Sequence, residues 1–238
     1  MITWIDHVLC FSFAVVWPLW NYRGYASYRE RVRSGAPGTR LAAYAEAMII
    51  QWLFAAAAVA LWIHEDRDFG ALGLLGLEGR WFFPGLLVAA GLGGLMLAQT
   101  LMVSRREETH PEVRATVLPY LEILPTGKND LTGFVAVSLT AGVCEELLFR
   151  GLLPFYLSHA VGPWGGQLAA LAVFAVAHSY LAKGAVLRAF LAGGVAAGLY
   201  LWTGSLLPGM LLHATVDIAS GWMGYEVLRE RSPAVPAV

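Results

Sequence analysis

The chain is 238 residues long and carries a formal net charge of −1 at pH 7. Hydrophobic residues make up 58% and charged residues 14%, against about 45–50% and about 25% in a soluble domain. Polar surface is too scarce to wrap that apolar content, which excludes a disordered tail, a fibre and an ordinary soluble enzyme; the near-zero charge leaves no basic field for nucleic acid. The expected fold is all-α, a polytopic transmembrane helix bundle.

A bilayer core of about 30 Å needs about 20 helical residues. Apolar stretches of that kind run over 2–20, 41–63, 81–103, 131–158, 164–182, 186–203 and 207–224, which predicts seven spans. The fourth is too long for one crossing and contains Gly151 and Pro154, so a break after Arg150 is expected, followed by a short interfacial piece. The N-terminus has neither a basic segment nor a small-residue cleavage site, so no secretory leader is expected. Cys10 and Cys144 lie inside apolar runs and read as small buried residues, not as a disulfide framework.

The first connector carries Arg23, Arg29, Arg31, Arg33 and Arg40, whereas the second is acidic, with Glu65, Asp66, Asp68 and Glu78. Arg105, Arg106, Arg114 and Lys128 fall in the third, Lys183 and Arg188 flank the fifth, and Arg229 and Arg231 lie in the tail. The positive-inside rule then places the odd connectors and the C-terminus in the cytoplasm and the N-terminus outside. On that orientation Glu145 and His213 fall toward the outer side and His178 nearer the inner side. Trp62 and most other tryptophans lie near span ends, as interfacial anchors do. Gly91, Gly93 and Gly94, with Gly193, Gly194 and Gly198, are expected to let helices pack closely. The polar stretch 104–130 reads as a surface linker with a short amphipathic helix.

Ionisable residues inside spans are costly and are usually functional. Asp6, His7 and Glu46 are near span ends and read as solvated. The C-terminal half is different. Glu146 and Arg150 are four apart and share a helix face, so they can pair. Glu145 points about 100° away and is left uncompensated; in hydrocarbon it must be protonated, hydrated or hydrogen-bonded, and facing a wet cavity it is a candidate general base. His213 and Asp217 repeat the spacing, so the carboxyl can accept from one ring nitrogen and leave the other free. Phe174 and His178 repeat it again, with the ring able to pack on the imidazole.

These residues form a pattern. Glu145-Glu146-Leu147-Leu148-Phe149-Arg150 reads EExxxR, Phe174 to His178 reads FxxxH, and His213 to Asp217 reads HxxxD, preceded by Gly204-Ser205-Leu206-Leu207-Pro208. Their order and separations over about 131–217 resemble the CPBP family of intramembrane proteases, the CAAX proteases and bacteriocin-processing (Abi) enzymes, which includes the type II CAAX prenyl endopeptidases. The spans and the resemblance together divide the chain into three parts: an N-terminal transmembrane region with three spans and a polar linker over 1–130, which does not carry the resemblance, a catalytic helical core over 131–224 and a polar tail over 225–238. It implies that Glu145 activates water with help from His178, that Glu146 and Arg150 hold the site together, and that His213 and residue 217 bind the developing oxyanion. Family members often carry Asn at the last position, where this chain has Asp217; that carboxyl must be protonated or must orient a cationic His213.

Metal-free glutamate chemistry is the expectation, because the HExxH pattern that sets two His on one helical face is absent. The alternative is zinc held by Glu145, His178 and His213. The resemblance further implies a lipid bilayer and a peptide or protein substrate as partners, and residence in a bacterial inner membrane. Substrates in the form of a prenylated C-terminus, a bacteriocin leader and a sorting tail are not distinguished. The competing readings are a non-enzymatic peptide-binding or bacteriocin-immunity protein, a proton or ion transporter using the same polar residues, and a haem protein with His178 and His213 as axial ligands.

Overall fold

The computed structural model describes residues 2–74 and 76–229. The described elements are helical throughout. Helix α1 (Trp4–Phe11) runs through a π turn (Ser12–Val16) into α2 (Trp17–Arg33). Then come α3 (Thr39–His64), α4 (Phe82–Arg105) and the short α5 (His110–Val117). Helix α6 (Lys128–Glu146) runs through a second π turn (Leu147–Leu152) into α7 (Leu153–Ala177), followed by α8 (Ala185–Thr203) and α9 (Leu207–Leu228). Four stretches among the described residues are long and apolar enough to cross a bilayer: Thr39–His64, Phe82–Arg105, Lys128–Ala177 and Ala185–Thr203. The expected first span lies in the α1–α2 helix, which continues unbroken to Arg33, and α2 buries none of its side chains. The expected seventh lies in α9, which packs against α4, α6 and α8 and so faces protein more than lipid. Glu226 falls in its last turns, and the tail beyond 229, with Arg231, lies outside the described residues.

The chain does not break after Arg150. The N–H of Leu153 reaches back to the carbonyl of Leu148, one residue further than in an α-helix. That wide turn absorbs Pro154, whose ring would otherwise press on the carbonyl of Arg150. The first π turn likewise ends two residues before a proline, Pro18. The sharp bend comes later, at Gly162, where φ is 75° and ψ is 168°, a conformation essentially confined to glycine. Pro163 then starts the return arm with its fixed φ. The two arms fold against each other. A Cβ on Gly166 would lie 2.7 Å from the carbonyl oxygen of Pro154, and the rings of Phe149 and Phe174 meet edge to face at 5.2 Å. Helix α7 ends at Ala177, short of the expected 182, and His178 is its C-cap. The return arm brings Phe174 level with Arg150, and His178 one turn beyond it, so His178 is not left near the far side.

Three further expectations change. Trp62 is wholly buried, not interfacial: its indole N–H donates to the carbonyl of Asp68 at 2.9 Å, and its ring packs on Phe155. Asp6 is buried too, not solvated. It accepts from both terminal nitrogens of Arg67, at 2.7 and 2.6 Å, and from the backbone and hydroxyl of Thr3. A span end is wet only if no other segment covers it, and the acidic connector folds back over this one. The stretch after Arg105 is partly a packed element: Arg114 donates to the carbonyl of Val227, and Leu124 is buried with Val227 and Leu228. Cys10 and Cys144 are buried and unpaired.

Candidate active site

Helices α6 and α9 approach closely because Gly142 faces Ala214; a Cβ at 142 would lie 2.7 Å from the Ala214 Cβ and 2.9 Å from its nitrogen. One turn beyond that contact come Glu145 and Glu146. Their rotation about the helix axis sends them to different partners, as adjacent helical positions must. Glu146 turns inward. Its Oε1 accepts the Nδ1–H of His213 at 2.8 Å and lies 3.1 Å from the Nη1 of Arg150. Glu146 is 1% exposed and Arg150 2%. Two buried opposite charges are tolerable because each is the other's counter-ion.

Arg150 is not held by well-aligned hydrogen bonds: neither of its terminal nitrogens has a hydrogen-bond partner among the described residues. Its guanidinium carbon instead lies 4.0 Å from the centre of the Phe174 ring, where the ring's electron-rich face attracts it. Room for the guanidinium comes from α8, since a Cβ on Gly193 would fall 2.5 Å from Nη2. Gly193 is therefore a site residue, beyond its expected role in helix packing. Gly93 does pack helices, against Thr215, while Gly91, Gly94 and Gly198 face open space.

Phe174 also supports both imidazoles. Its ring centre lies 4.7 Å from that of His178 and 6.2 Å from that of His213. The Nδ1–H of His178 donates to the carbonyl of Phe174 at 2.8 Å, which leaves Nε2 as the free nitrogen. In His213 the nitrogens are divided differently from the sequence expectation. Glu146 takes Nδ1, and Asp217 stands 3.6 Å from Nε2, an ion-pair distance too long for a hydrogen bond. The Oε2 of Glu145 is 3.9 Å from the same Nε2. Asp217 lies close enough to His178 for their charges to interact. The structure thus gathers Glu145, Glu146, Arg150, Phe174, His213 and Asp217, and His178 packs against the same Phe174 ring.

The residue that sequence reasoning passed over is Gln51. It sits on α3, is 4% exposed, and its Nε2 donates to Glu145 Oε1 at 3.0 Å. A primary amide within an otherwise apolar run is the signal in the sequence, weaker than the charged groups because an amide carries no ionisable proton.

The alternative zinc set is Glu145, His178 and His213, and each of these keeps one donor atom free. Each imidazole has one nitrogen engaged, and no group of three His, Cys, Asp or Glu side chains among the described residues is arranged to hold a metal ion. Compared with known proteins, residues 127–219 match the family model for the type II CAAX prenyl endopeptidase, Rce1-like. No curated protein and no solved structure matches the chain.

Proposed function

We propose that the chain belongs to the type II CAAX prenyl endopeptidase family, whose model residues 127–219 match, and that this integral membrane protein hydrolyses a peptide bond by glutamate-activated attack of water. The substrate class is a membrane-associated or exported protein or peptide, and the location a bacterial cytoplasmic membrane. The observation that carries the reading is the meeting of Glu145 Oε2, His213 Nε2 and Asp217 Oδ2, with both distances to Nε2 under 4 Å. These atoms belong to side chains 13%, 15% and 38% exposed, while Glu146 and Arg150 behind them are sealed.

The chemistry follows from the donor set. The Glu145 carboxylate takes one proton from a water, and the water oxygen attacks the carbonyl carbon. The second hydrogen of that water faces Nε2 of His178, fixed as an acceptor because Nδ1–H is spent on the Phe174 carbonyl. As the carbonyl π pair moves onto oxygen, the oxyanion accepts a hydrogen bond from Nε2–H of a cationic His213. Glu146 and Asp217 keep that imidazole protonated and oriented. When the C–N bond breaks, Glu145 returns its proton to the leaving amine. One water is consumed: its second hydrogen, on the new carboxyl, passes by way of His178 Nε2 to the departing amine, and a carboxylate and an ammonium ion are released.

The test uses the purified full chain with two quenched fluorogenic peptides, one with an S-prenylated CAAX end and one an unlipidated apolar transmembrane segment. Wild type is expected to cleave at least one of them. Glu145→Gln and His178→Ala are expected to abolish turnover while thermal unfolding in detergent is unchanged. Full activity in Glu145→Gln, or no cleavage of either peptide by wild type, overturns the reading.

A further inference from the structure

The general base of a hydrolase needs one oxygen aimed at the water and the other held still. In this chain the hold on Glu145 comes from outside the family-matched segment, from Gln51 on α3. We propose that Gln51 is a positioning residue for Glu145: its amide clamps Oε1 and thereby turns Oε2 toward His213 and the reacting water. The inference rests on the reading of Glu145 as the general base.

Two observations on the Gln51 side chain carry it. The first is the 3.0 Å hydrogen bond from Nε2 to Glu145 Oε1, made at a residue almost wholly buried. The second is the other end of the same amide. Oε1 of Gln51 is buried and has no hydrogen-bond partner among the described residues. A buried amide kept for architecture normally satisfies both ends, because an unpaired buried acceptor costs about 1–3 kcal/mol. Here the one directed bond goes to the carboxylate, and the cost of the other end is carried. The arrangement is also one-way. Rotating the amide by half a turn would set its carbonyl oxygen against the carboxylate oxygen, two acceptors face to face. Glu145 therefore fixes the amide and the amide fixes Glu145.

The geometry divides the carboxylate's two oxygens. Oε1 is engaged by Gln51, while Oε2 is the oxygen 3.9 Å from His213 Nε2. Without the clamp the side chain is free to rotate about its terminal bonds, and the attacking water loses its fixed acceptor. A misplacement of about 1 Å in a reacting group costs on the order of 100-fold in rate. Helix α3 packs along α6, so the N-terminal half of the molecule supplies part of the working geometry.

The test compares wild type, Glu145→Gln, Gln51→Met and Gln51→Asn on whichever of the two fluorogenic peptides the wild type cleaves. Met matches the length of Gln and suits an apolar helix but has no amide; Asn keeps the amide and withdraws it by one methylene. Both Gln51 variants are expected to lose about 10- to 100-fold in kcat with KM within about twofold of wild type and the unfolding midpoint unchanged. A folded Gln51 variant with wild-type kcat overturns the proposal, as does a loss expressed wholly in KM. Failure of both variants to fold overturns it too, by making Gln51 architectural. If Glu145→Gln is inactive while Gln51→Met is fully active, only the role of Gln51 falls. If Glu145→Gln remains active, the general-base reading falls first.

Discussion

The guanidinium of Arg150 rests on the face of Phe174, 4.0 Å from the ring centre to the guanidinium carbon. Arg150 comes from the π turn and Phe174 from the return arm beyond Gly162, so this stack joins the two arms of one bent helix at the level of the candidate site. The same ring packs beside His178 and His213. The cation that balances Glu146 and the shelf under both imidazoles are therefore one unit. Displacing either member should disturb the other.

Gly193→Ala tests that unit from α8. The added methyl would lie 2.5 Å from Arg150 Nη2 and 3.0 Å from carbons of Leu171 and Phe174. Arg150 is sealed on all sides, so it cannot swing away cheaply. A destabilisation of about 1–3 kcal/mol is expected, as in other overpacked cores, together with reduced turnover. Gly198→Ala, five residues on in the same helix, faces open space and should be neutral or slightly stabilising. Thermal or denaturant unfolding in detergent, read beside peptide cleavage, separates the pair.

Asp217 lies at ion-pair distance from His213 Nε2 without a hydrogen bond. Its proposed part is to hold the imidazole in its charged form beside the oxyanion. Asp217→Asn loses the charge but offers an amide donor from the same position, so kcat should stay within about tenfold of wild type. Asp217→Ala removes the charge that supports cationic His213 and puts no donor in its place, so turnover should fall by about 100-fold or more, on the order of losing one oxyanion donor. Equal, complete loss in both variants would mean that an amide donor cannot replace the charge, and wild-type turnover in Asp217→Ala would remove Asp217 from the mechanism.

Strong chelators should leave turnover unchanged. The proposed steps use only carboxylate, imidazole and water. The measurement is peptide cleavage before and after treatment with phenanthroline, with metal analysis of the purified protein. Stoichiometric zinc together with loss of activity that is restored by zinc would replace the glutamate mechanism by a metal-assisted one.

Much of the site was readable because its chemistry conflicts with its surroundings. Glu146, Arg150, His213 and Asp217 are conspicuous in apolar helices, and their four-residue spacings fix which side chains share a face. Which nitrogen of His213 meets which acid was not readable. Spacing within α9 suggested Asp217 as the partner, yet Glu146 reaches Nδ1 across the α6–α9 contact made possible by Gly142. Asp6 and Trp62 show the same limit: sequence places a residue near a span end, but only the fold of the following connector decides whether that end is covered.

By itself the sequence determined the solvent and the alphabet of the site. An apolar majority leaves helices as the economical way to satisfy backbone hydrogen bonds in lipid, and the few charges allowed among them mark where chemistry is concentrated. Only the tertiary structure decided where the long helix turns, at Gly162 instead of after Arg150, and which neighbours answer each charge. Those outcomes depend on contacts between residues far apart in the chain, such as Gln51 with Glu145 and Gly193 with Arg150, and no local periodicity encodes the distance between two helices.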